Sequence, residues 1–122
     1  LERIKNSFNP FPLGQLQIVA AIASFKDTDY FQQTCERIIN SREQMTEQLQ
    51  DLGFEVLPSA ANFVFARHAD RSAEELALGL RENGVVVRHF RKPRIEEFLR
   101  ITIGTEQQNA LLLSSLTAII KP

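Results

Sequence analysis

Residues 41–67, SREQMTEQLQDLGFEVLPSAANFVFAR, contain the change of pattern that decides the fold. As far as Leu52, apolar residues recur at alternating spacings of three and four, which is typical of one buried helix face. Gly53 suits the left-handed residue that ends such a helix. Residues 54–57 then read as a short strand, and residues 62–67 alternate between two faces as strands do. The stretch therefore predicts a long helix that leads directly into a β-sheet.

Upstream of this stretch, the sequence predicts helices. The pattern of the long helix extends back to Asp27-Thr28-Asp29, which supplies cap-forming residues. A separate helical pattern covers residues 13–25. Residues 1–12 carry prolines that interrupt regular structure, so we expect them to form an irregular N-terminal segment.

Downstream, two capping boxes mark where the remaining helices begin. Ser72-x-x-Glu75 opens a helix that Asn83-Gly84 closes, and Thr105-x-x-Gln108 opens the last helix. Two more strands are predicted over residues 85–88 and 98–103. The order is two helices followed by β-β-α-β-β-α. It predicts an α+β fold, a two-layer sandwich in which a small, mainly antiparallel sheet carries helices on one face and is preceded by the long helix.

The composition is that of one ordinary globular domain. The chain has 122 residues, 43% of them apolar and 24% charged, and its net charge is −1. This balance argues against a nucleic-acid partner, because phosphate binding needs concentrated Lys and Arg. No apolar run is long enough to cross a bilayer, and the single cysteine forms no internal disulfide, so we expect a cytoplasmic protein. The chain begins with Leu1 rather than Met, and we expect further residues upstream.

Neither a metal site nor a nucleophile is predicted. His68 and His89 follow strands without Cys, Asp or Glu at the spacing of metal ligands. Cys35 lies at an apolar helix position, where a small buried side chain is the expected role. Asn62 fits either a turn or a ligand contact, and both interpretations stay open.

Two arginines on predicted strands are the candidate binding residues. Arg100 lies on the strand face opposite the aliphatic residues of 98–103, and an arginine among apolar residues needs an anionic partner. Its planar guanidinium suits a carboxylate, although an ion pair with a Glu of the same domain, Glu55 for example, would account for it equally well. Arg88 ends the preceding strand and by itself fits a surface charge. If the two strands are neighbours, Arg88 and Arg100 converge on one doubly anionic ligand that carries a carboxylate and a phosphate.

Four stretches together resemble the C-terminal part of histidinol-phosphate aminotransferases. They are KNSFNPFPLGQLQIVAAIAS (5–24), the quoted 41–67, AEELALGLRENGVVVRHF (73–90) and FLRITIGT (98–105). The similarity keeps the order and spacing nearly end to end. SAANFVFAR and LRITIGT are its more specific pieces, whereas the long helix and the GFEVLPS turn occur more widely in the same fold group.

The resemblance implies the small domain of a fold-type-I pyridoxal-phosphate enzyme. Residues 1–122 would be a single C-terminal domain, with 1–25 as a lead-in segment and a helix from the inter-domain region. By the family pattern, Arg100 is similar to the arginine that holds the substrate α-carboxylate, and Arg88 resembles one that faces the substrate phosphate. The domain would position substrate for amino transfer from histidinol phosphate to 2-oxoglutarate in histidine biosynthesis. Asn9 receives no role, because the family's proline-aromatic-asparagine segment reads Ser-Phe-Asn here.

The resemblance also implies what this chain lacks. The family's Schiff-base lysine lies in a Ser/Thr-rich motif, and no lysine of this chain has that context; they are Lys5, Lys26, Lys92 and Lys121. We therefore expect no catalytic or cofactor-binding residue here, no pyridoxal phosphate bound to this chain alone, and no activity without the missing large domain. The complete enzyme would use pyridoxal 5'-phosphate, take an amino-acid phosphate ester and a 2-oxo acid as substrates, and form a homodimer.

Two other functions fit the same residues. A threonine-phosphate decarboxylase of the same fold would share the arginine-bearing strand but release carbon dioxide. A stand-alone module for amino acids or phosphorylated metabolites would be stable by itself and bind ligand without a cofactor. An excised small domain would instead expose the apolar face that packs on the large domain, and it would tend to self-associate.

Overall fold

Two helices occupy most of residues 13–51, as predicted, whereas residues 1 and 4–12 of the predicted irregular N-terminal segment lie outside the described residues. The computed structural model describes residues 2–3 and 13–121 and divides into two compact units, Leu1–Cys35 and Glu36–Pro122. Helix α1 covers Gln15–Lys26, and none of its residues is buried. Helix α2 covers Thr28–Asp51, so it begins in the first unit and ends in the second. Asp27 caps α2, since its Oδ1 accepts a hydrogen bond from the Tyr30 backbone N–H at 3.2 Å.

Only the second half of α2 has a buried face. Met45 and Leu49 are buried, Cys35 and Ile38 are half-buried, and Phe31 remains 64% exposed. The predicted apolar stripe is therefore confirmed over its C-terminal half alone. The expectation of a buried Cys35 is wrong, because this cysteine keeps part of its surface accessible.

The second unit contains a four-stranded sheet in which every pairing is antiparallel. The strands are β1 (Phe54–Leu57), β2 (Phe63–His68), β3 (Arg88–His89) and β4 (Leu99–Thr102). Their spatial order is β1-β2-β4-β3, so the last strand lies in the interior of the sheet. Helix α3 (Ala73–Glu82) connects β2 to β3, and helix α4 (Glu106–Ile120) follows β4.

One face of the sheet carries the hydrophobic core. Buried residues of the strands meet the buried residues of the helices, and the largest fully buried side chains are Met45, Leu49, Val64, Leu76, Leu80, Leu99, Ile101 and Leu116. Along β4 the buried and exposed residues alternate strictly, which places the aliphatic side chains on the helical side. The predicted α+β sandwich with helices on one face is confirmed. The other face, onto which the exposed residues of β4 point, is called the outer face below.

Local sequence signals predicted these helix ends correctly. Gly53 has φ of +91°, as expected for the residue that ends α2. The Ser72 Oγ accepts the Glu75 backbone N–H, and the full capping box of Thr105 and Gln108 is formed.

The predicted strand over 85–88 is wrong over its first three residues. Gly84 has φ of +78°, and the Val85 N–H donates to the Leu80 carbonyl at 2.9 Å, so Val85 belongs to the C-terminal turn of α3. Ladder pairing with β4 covers only Arg88 and His89. The valines supply β-propensity, but the helix-ending motif takes the first backbone donor.

Candidate functional site: the outer face of the sheet

The outer face combines arginines with phenylalanines. Strand alternation and register bring Phe63, Phe65 and Arg67 of β2 beside Arg100 of β4, with Arg88 of β3 on the far side. These arginines are exposed, and the two phenylalanines are half-buried. The alternation that puts aliphatic residues into the core thus puts cations and rings together on the opposite side.

Arg88 and Arg100 are directly opposite each other on neighbouring strands. They are Cα partners in the antiparallel pairing of β3 with β4, which confirms that the two predicted strands are neighbours. Like charges directly opposite in a sheet repel each other. Among residues 2–3 and 13–121, neither guanidinium forms a salt bridge with a carboxylate. The pair is therefore a local excess of two positive charges that an anion would relieve.

The alternative explanation for Arg100, an ion pair with Glu55, is wrong. Glu55 is the Cα partner of Arg67, and its Oε2 lies 2.6 Å from the Arg67 Nη2. Strand β2 separates β1 from β4 in the sheet, so the Glu55 carboxylate is used one strand away from Arg100. Arg67 is thereby neutralised, and Arg100 is left available.

Aromatic rings connect these arginines across the sheet. The Phe65 ring stacks on that of Phe98, with centroids 4.8 Å apart and an angle of 7° between the rings. On its other side, Phe65 meets Phe90 edge to face at 6.2 Å. Each arginine of the outer face lies over a ring: Arg67 over Phe98, Arg88 over Phe90 and Arg100 over Phe63. Sequence reasoning missed this role for the phenylalanines, although the two-residue spacing of Phe65 from Arg67 and of Phe98 from Arg100 was a usable signal.

Beside Arg100 the outer face forms an apolar cleft of about 530 Å³. Its lining residues are Leu57, Pro58, Ser59, Ala60, Phe63, Phe65, Phe90, Ile95 and Arg100. Apolar walls lower the local dielectric, which strengthens an interaction between a guanidinium and an anion held there.

The loop that forms one wall of this cleft is fixed by two polar side chains. The Ser59 Oγ donates to the Phe63 carbonyl at 2.6 Å and accepts the Ala61 N–H at 3.1 Å. From α2, the Arg42 Nη1 donates to the Ala61 carbonyl at 3.0 Å. Arg42 lies between Ile38 and Met45 on the apolar side of α2, where the pattern would otherwise place an apolar residue. This hydrogen bond gives its guanidinium a partner there. The sequence left the role of Asn62 open. In the structure its backbone carbonyl accepts a hydrogen bond from the Ile103 N–H at 2.9 Å.

A second loop, residues 90–98, borders the outer face and is tied at both ends. The His89 imidazole Nε2 lies 2.8 Å from the Glu96 carbonyl, and Arg91 forms an ion pair with Glu74 of α3. The other histidine is also structural, because His68 accepts the Asp70 N–H at Nδ1 and so donates from Nε2 to the Leu52 carbonyl. Within the described residues, no group of three His, Cys, Asp or Glu side chains could hold a metal ion.

None of the four strands contains a lysine. Lys26 is in the last turn of α1, Lys92 is in the 90–98 loop, and Lys121 is the C-cap of α4. Lys5 and Asn9 lie outside the described residues.

Among the described helices, none combines the length and the apolar character of a membrane span.

Nearly the whole sequence is similar to a known enzyme family. Residues 1–116 match the sequence model of the family "Aminotransferase class I and II". The chain is a member of the class I and II aminotransferase family.

Relatives within this family are close. A histidinol-phosphate aminotransferase of Pseudomonas putida is 60% identical over 117 residues, which are 96% of this chain and 34% of that protein. Histidinol-phosphate aminotransferase 1 of Hydrogenovibrio crunogenus is 56% identical over 121 residues, or 99% of this chain and 34% of that protein. The chain thus spans about a third of the length of the curated relatives it matches.

Solved aminotransferase structures share the fold. The histidinol-phosphate aminotransferase of Sinorhizobium meliloti, solved in complex with pyridoxal-5'-phosphate, superposes with a TM-score of 0.86 at 26% identity, covering 98% of this chain and 33% of that one. The Clostridium acetobutylicum enzyme gives a TM-score of 0.83 at 29% identity, covering 98% and 37%. A decarboxylase of Sulfurospirillum multivorans has a TM-score of 0.76 at 23% identity, over 98% and 36%, and shares the fold.

Proposed function

We propose that this chain is the substrate-binding small domain of a histidinol-phosphate aminotransferase. Residues 1–122 would form the C-terminal domain, with 1–25 leading in from the rest of the enzyme. The observation that carries the proposal is the pair Arg88 and Arg100, opposite each other on one sheet face without carboxylate partners among the described residues. The close relatives named for this activity support the same function.

Each arginine would hold an anionic group of one of the two substrates. Arg100, beside the apolar cleft, would donate parallel hydrogen bonds to the carboxylate of the amino-acid or 2-oxo-acid substrate. Arg88 would hold the phosphate of histidinol phosphate. Holding the anionic groups in fixed positions orients the substrate before the reaction begins, which removes part of the entropic barrier.

The residues of this chain do not fit the cofactor site itself. Pyridoxal phosphate is held through a lysine, and the described lysines lie at a helix end, in an exposed loop and at a C-cap, so none of them is on a strand of the sheet. Support for the cofactor comes from the family and from the Sinorhizobium meliloti complex. The lysine and the cofactor site would therefore belong to the remainder of the protein, and this chain's share is to bind and orient the substrate.

The complete protein would be about three times longer than this chain, as its relatives are. It would transfer the amino group of histidinol phosphate to 2-oxoglutarate, work as a homodimer and act in the cytoplasm. The chain alone would have no activity, because it lacks the lysine.

The test is an assay of the complete protein with histidinol phosphate and 2-oxoglutarate. We expect glutamate to form, and we expect Arg100→Ala to lower kcat/KM roughly 10- to 100-fold, since a charge-assisted hydrogen-bond pair is lost. Carbon dioxide release from threonine phosphate, without glutamate formation from histidinol phosphate and 2-oxoglutarate, would assign the protein to the decarboxylases. Phosphate binding by the chain alone, with no amino transfer by the complete protein, would assign it a ligand-binding role.

A further inference from the structure

Three arginine–phenylalanine contacts lie on the outer face. The guanidinium carbon of Arg67 is 5.3 Å from the centroid of its phenylalanine ring, that of Arg88 is 5.3 Å and that of Arg100 is 5.4 Å. All three are within the roughly 6 Å at which a cation is attracted to the face of a ring. Proteins have on the order of one energetically significant contact of this kind per 70–80 residues, so three on one face of a four-stranded sheet need an explanation.

The three contacts differ in what else holds the arginine. Arg67 is also paired with Glu55 at 2.6 Å, so its charge is already compensated. Within residues 2–3 and 13–121, Arg88 and Arg100 have no carboxylate partner. A ring face attracts a guanidinium without carrying a formal negative charge, and it leaves the in-plane N–H donors free. A carboxylate would have used those same donors.

We propose that Phe63 and Phe90 are positioning residues that orient Arg100 and Arg88 for an anionic ligand. The inference rests on the proposed anion-binding role of the two arginines and adds how they are held in place. The rings oppose the repulsion between the opposed guanidiniums and keep each one turned toward the outer face. They act through the arginines, and neither ring needs to touch the reacting atoms.

The Phe90 ring is itself held in place. It meets Phe65 edge to face at 6.2 Å, and Phe65 stacks on Phe98 at 4.8 Å. Phe90 and Phe98 stand at the two ends of the 90–98 loop, which the Arg91–Glu74 ion pair ties to α3. The position of Arg88 is therefore coupled to the packing of this loop on Phe65.

Calorimetric titration of the complete protein with inorganic phosphate tests the inference, because it needs no enzymatic activity. Phe90→Leu and Phe63→Leu remove a ring and keep an apolar side chain of similar size. We expect Phe90→Leu to weaken phosphate binding about twofold to fivefold. We expect Phe63→Leu to weaken binding of the dicarboxylate 2-oxoglutarate, titrated in the same way, by a similar factor, as the loss of exposed cation–π contacts predicts. Phe90→Tyr keeps the ring and should stay within about twofold of the parent protein.

Phe54→Leu is the matched control. Phe54 is buried in the core on the helical side of the same sheet, so the same substitution there should leave ligand binding unchanged. A circular dichroism spectrum and a melting curve check that each variant is folded, and the Phe63 variant repeats the test at the second arginine.

Unchanged binding in both leucine variants, or equal losses in Phe90→Tyr and Phe90→Leu, would overturn the inference. Failure of the parent protein to bind phosphate would overturn it as well. The proposed function fails separately, if the parent protein binds phosphate with the expected ring dependence but transfers no amino group.

Discussion

The charge balance of the outer face leads to a prediction about stability. Arg88 and Arg67 are both exposed and both lie over a phenylalanine ring, but Arg88 opposes another arginine while Arg67 is paired with Glu55. Replacing either arginine by glutamine removes one positive charge and one cation–π contact from the same face. The two substitutions therefore differ only in the charge that the arginine faces.

The magnitudes follow from these partners. Two unit charges about 4 Å apart in water repel by about 1 kcal/mol, and by less at longer separations; Arg88→Gln would relieve this repulsion. The lost cation–π contact costs about 0.5–1 kcal/mol, so the net effect of Arg88→Gln on the free energy of unfolding is close to zero. Arg67→Gln loses a similar contact and also an exposed ion pair of about 0.2–1 kcal/mol. We expect Arg88→Gln to be the more stable variant by roughly 1 kcal/mol.

Urea-induced unfolding of the 122-residue chain, followed by circular dichroism at low ionic strength, measures this difference. Adding NaCl to about 0.5 M should reduce it, since exposed charges are screened. If Arg88→Gln were as destabilising as Arg67→Gln at low salt, the two guanidiniums would not repel each other as the structure indicates.

Two further predictions concern the glycines that end helices and the packing of the core; they use three substitutions. Gly84→Ala should cost about 1 kcal/mol for the positive φ alone, because nothing lies within 4 Å of the added Cβ. Gly53→Ala should cost about 1 kcal/mol more, since its Cβ would lie 3.1 Å from the His68 Nε2 that bonds the Leu52 carbonyl. Leu49→Ala should cost about 2–5 kcal/mol, because Leu49 is 0% exposed. Urea unfolding measures all three, and equal losses at the two glycines would contradict the steric part of the argument.

The helix boundaries could be predicted from the sequence because their causes are local. Asp27, Ser72 and Thr105 each satisfy a backbone N–H within three residues, and Gly53 ends α2 with a positive φ. Such signals are complete within a few residues of sequence. The same locality explains the one overextended strand, where the helix-ending turn at Val85 competed with the β-propensity of the valines.

The partners of charged residues could not be predicted, since they depend on strand order. Glu55 lies opposite Arg67 because β1 pairs with β2, and it is a strand away from Arg100 because β2 separates β1 from β4. Sequence spacing leaves both pairings open. The convergence of Arg88 with Arg100 was likewise conditional on the neighbouring position of β3 and β4, which long-range pairing decides.

The central claim is that Arg88 and Arg100 hold different anionic groups of the substrates. Single-turnover half-reactions of the complete protein test it, with histidinol phosphate in one direction and glutamate in the other, for Arg88→Ala and Arg100→Ala. We expect Arg88→Ala to lower kcat/KM roughly 10- to 100-fold more for histidinol phosphate than for glutamate. We expect Arg100→Ala to impair the glutamate half-reaction more than the histidinol phosphate half-reaction. Equal losses in both half-reactions for both variants, or no loss in either, would contradict it.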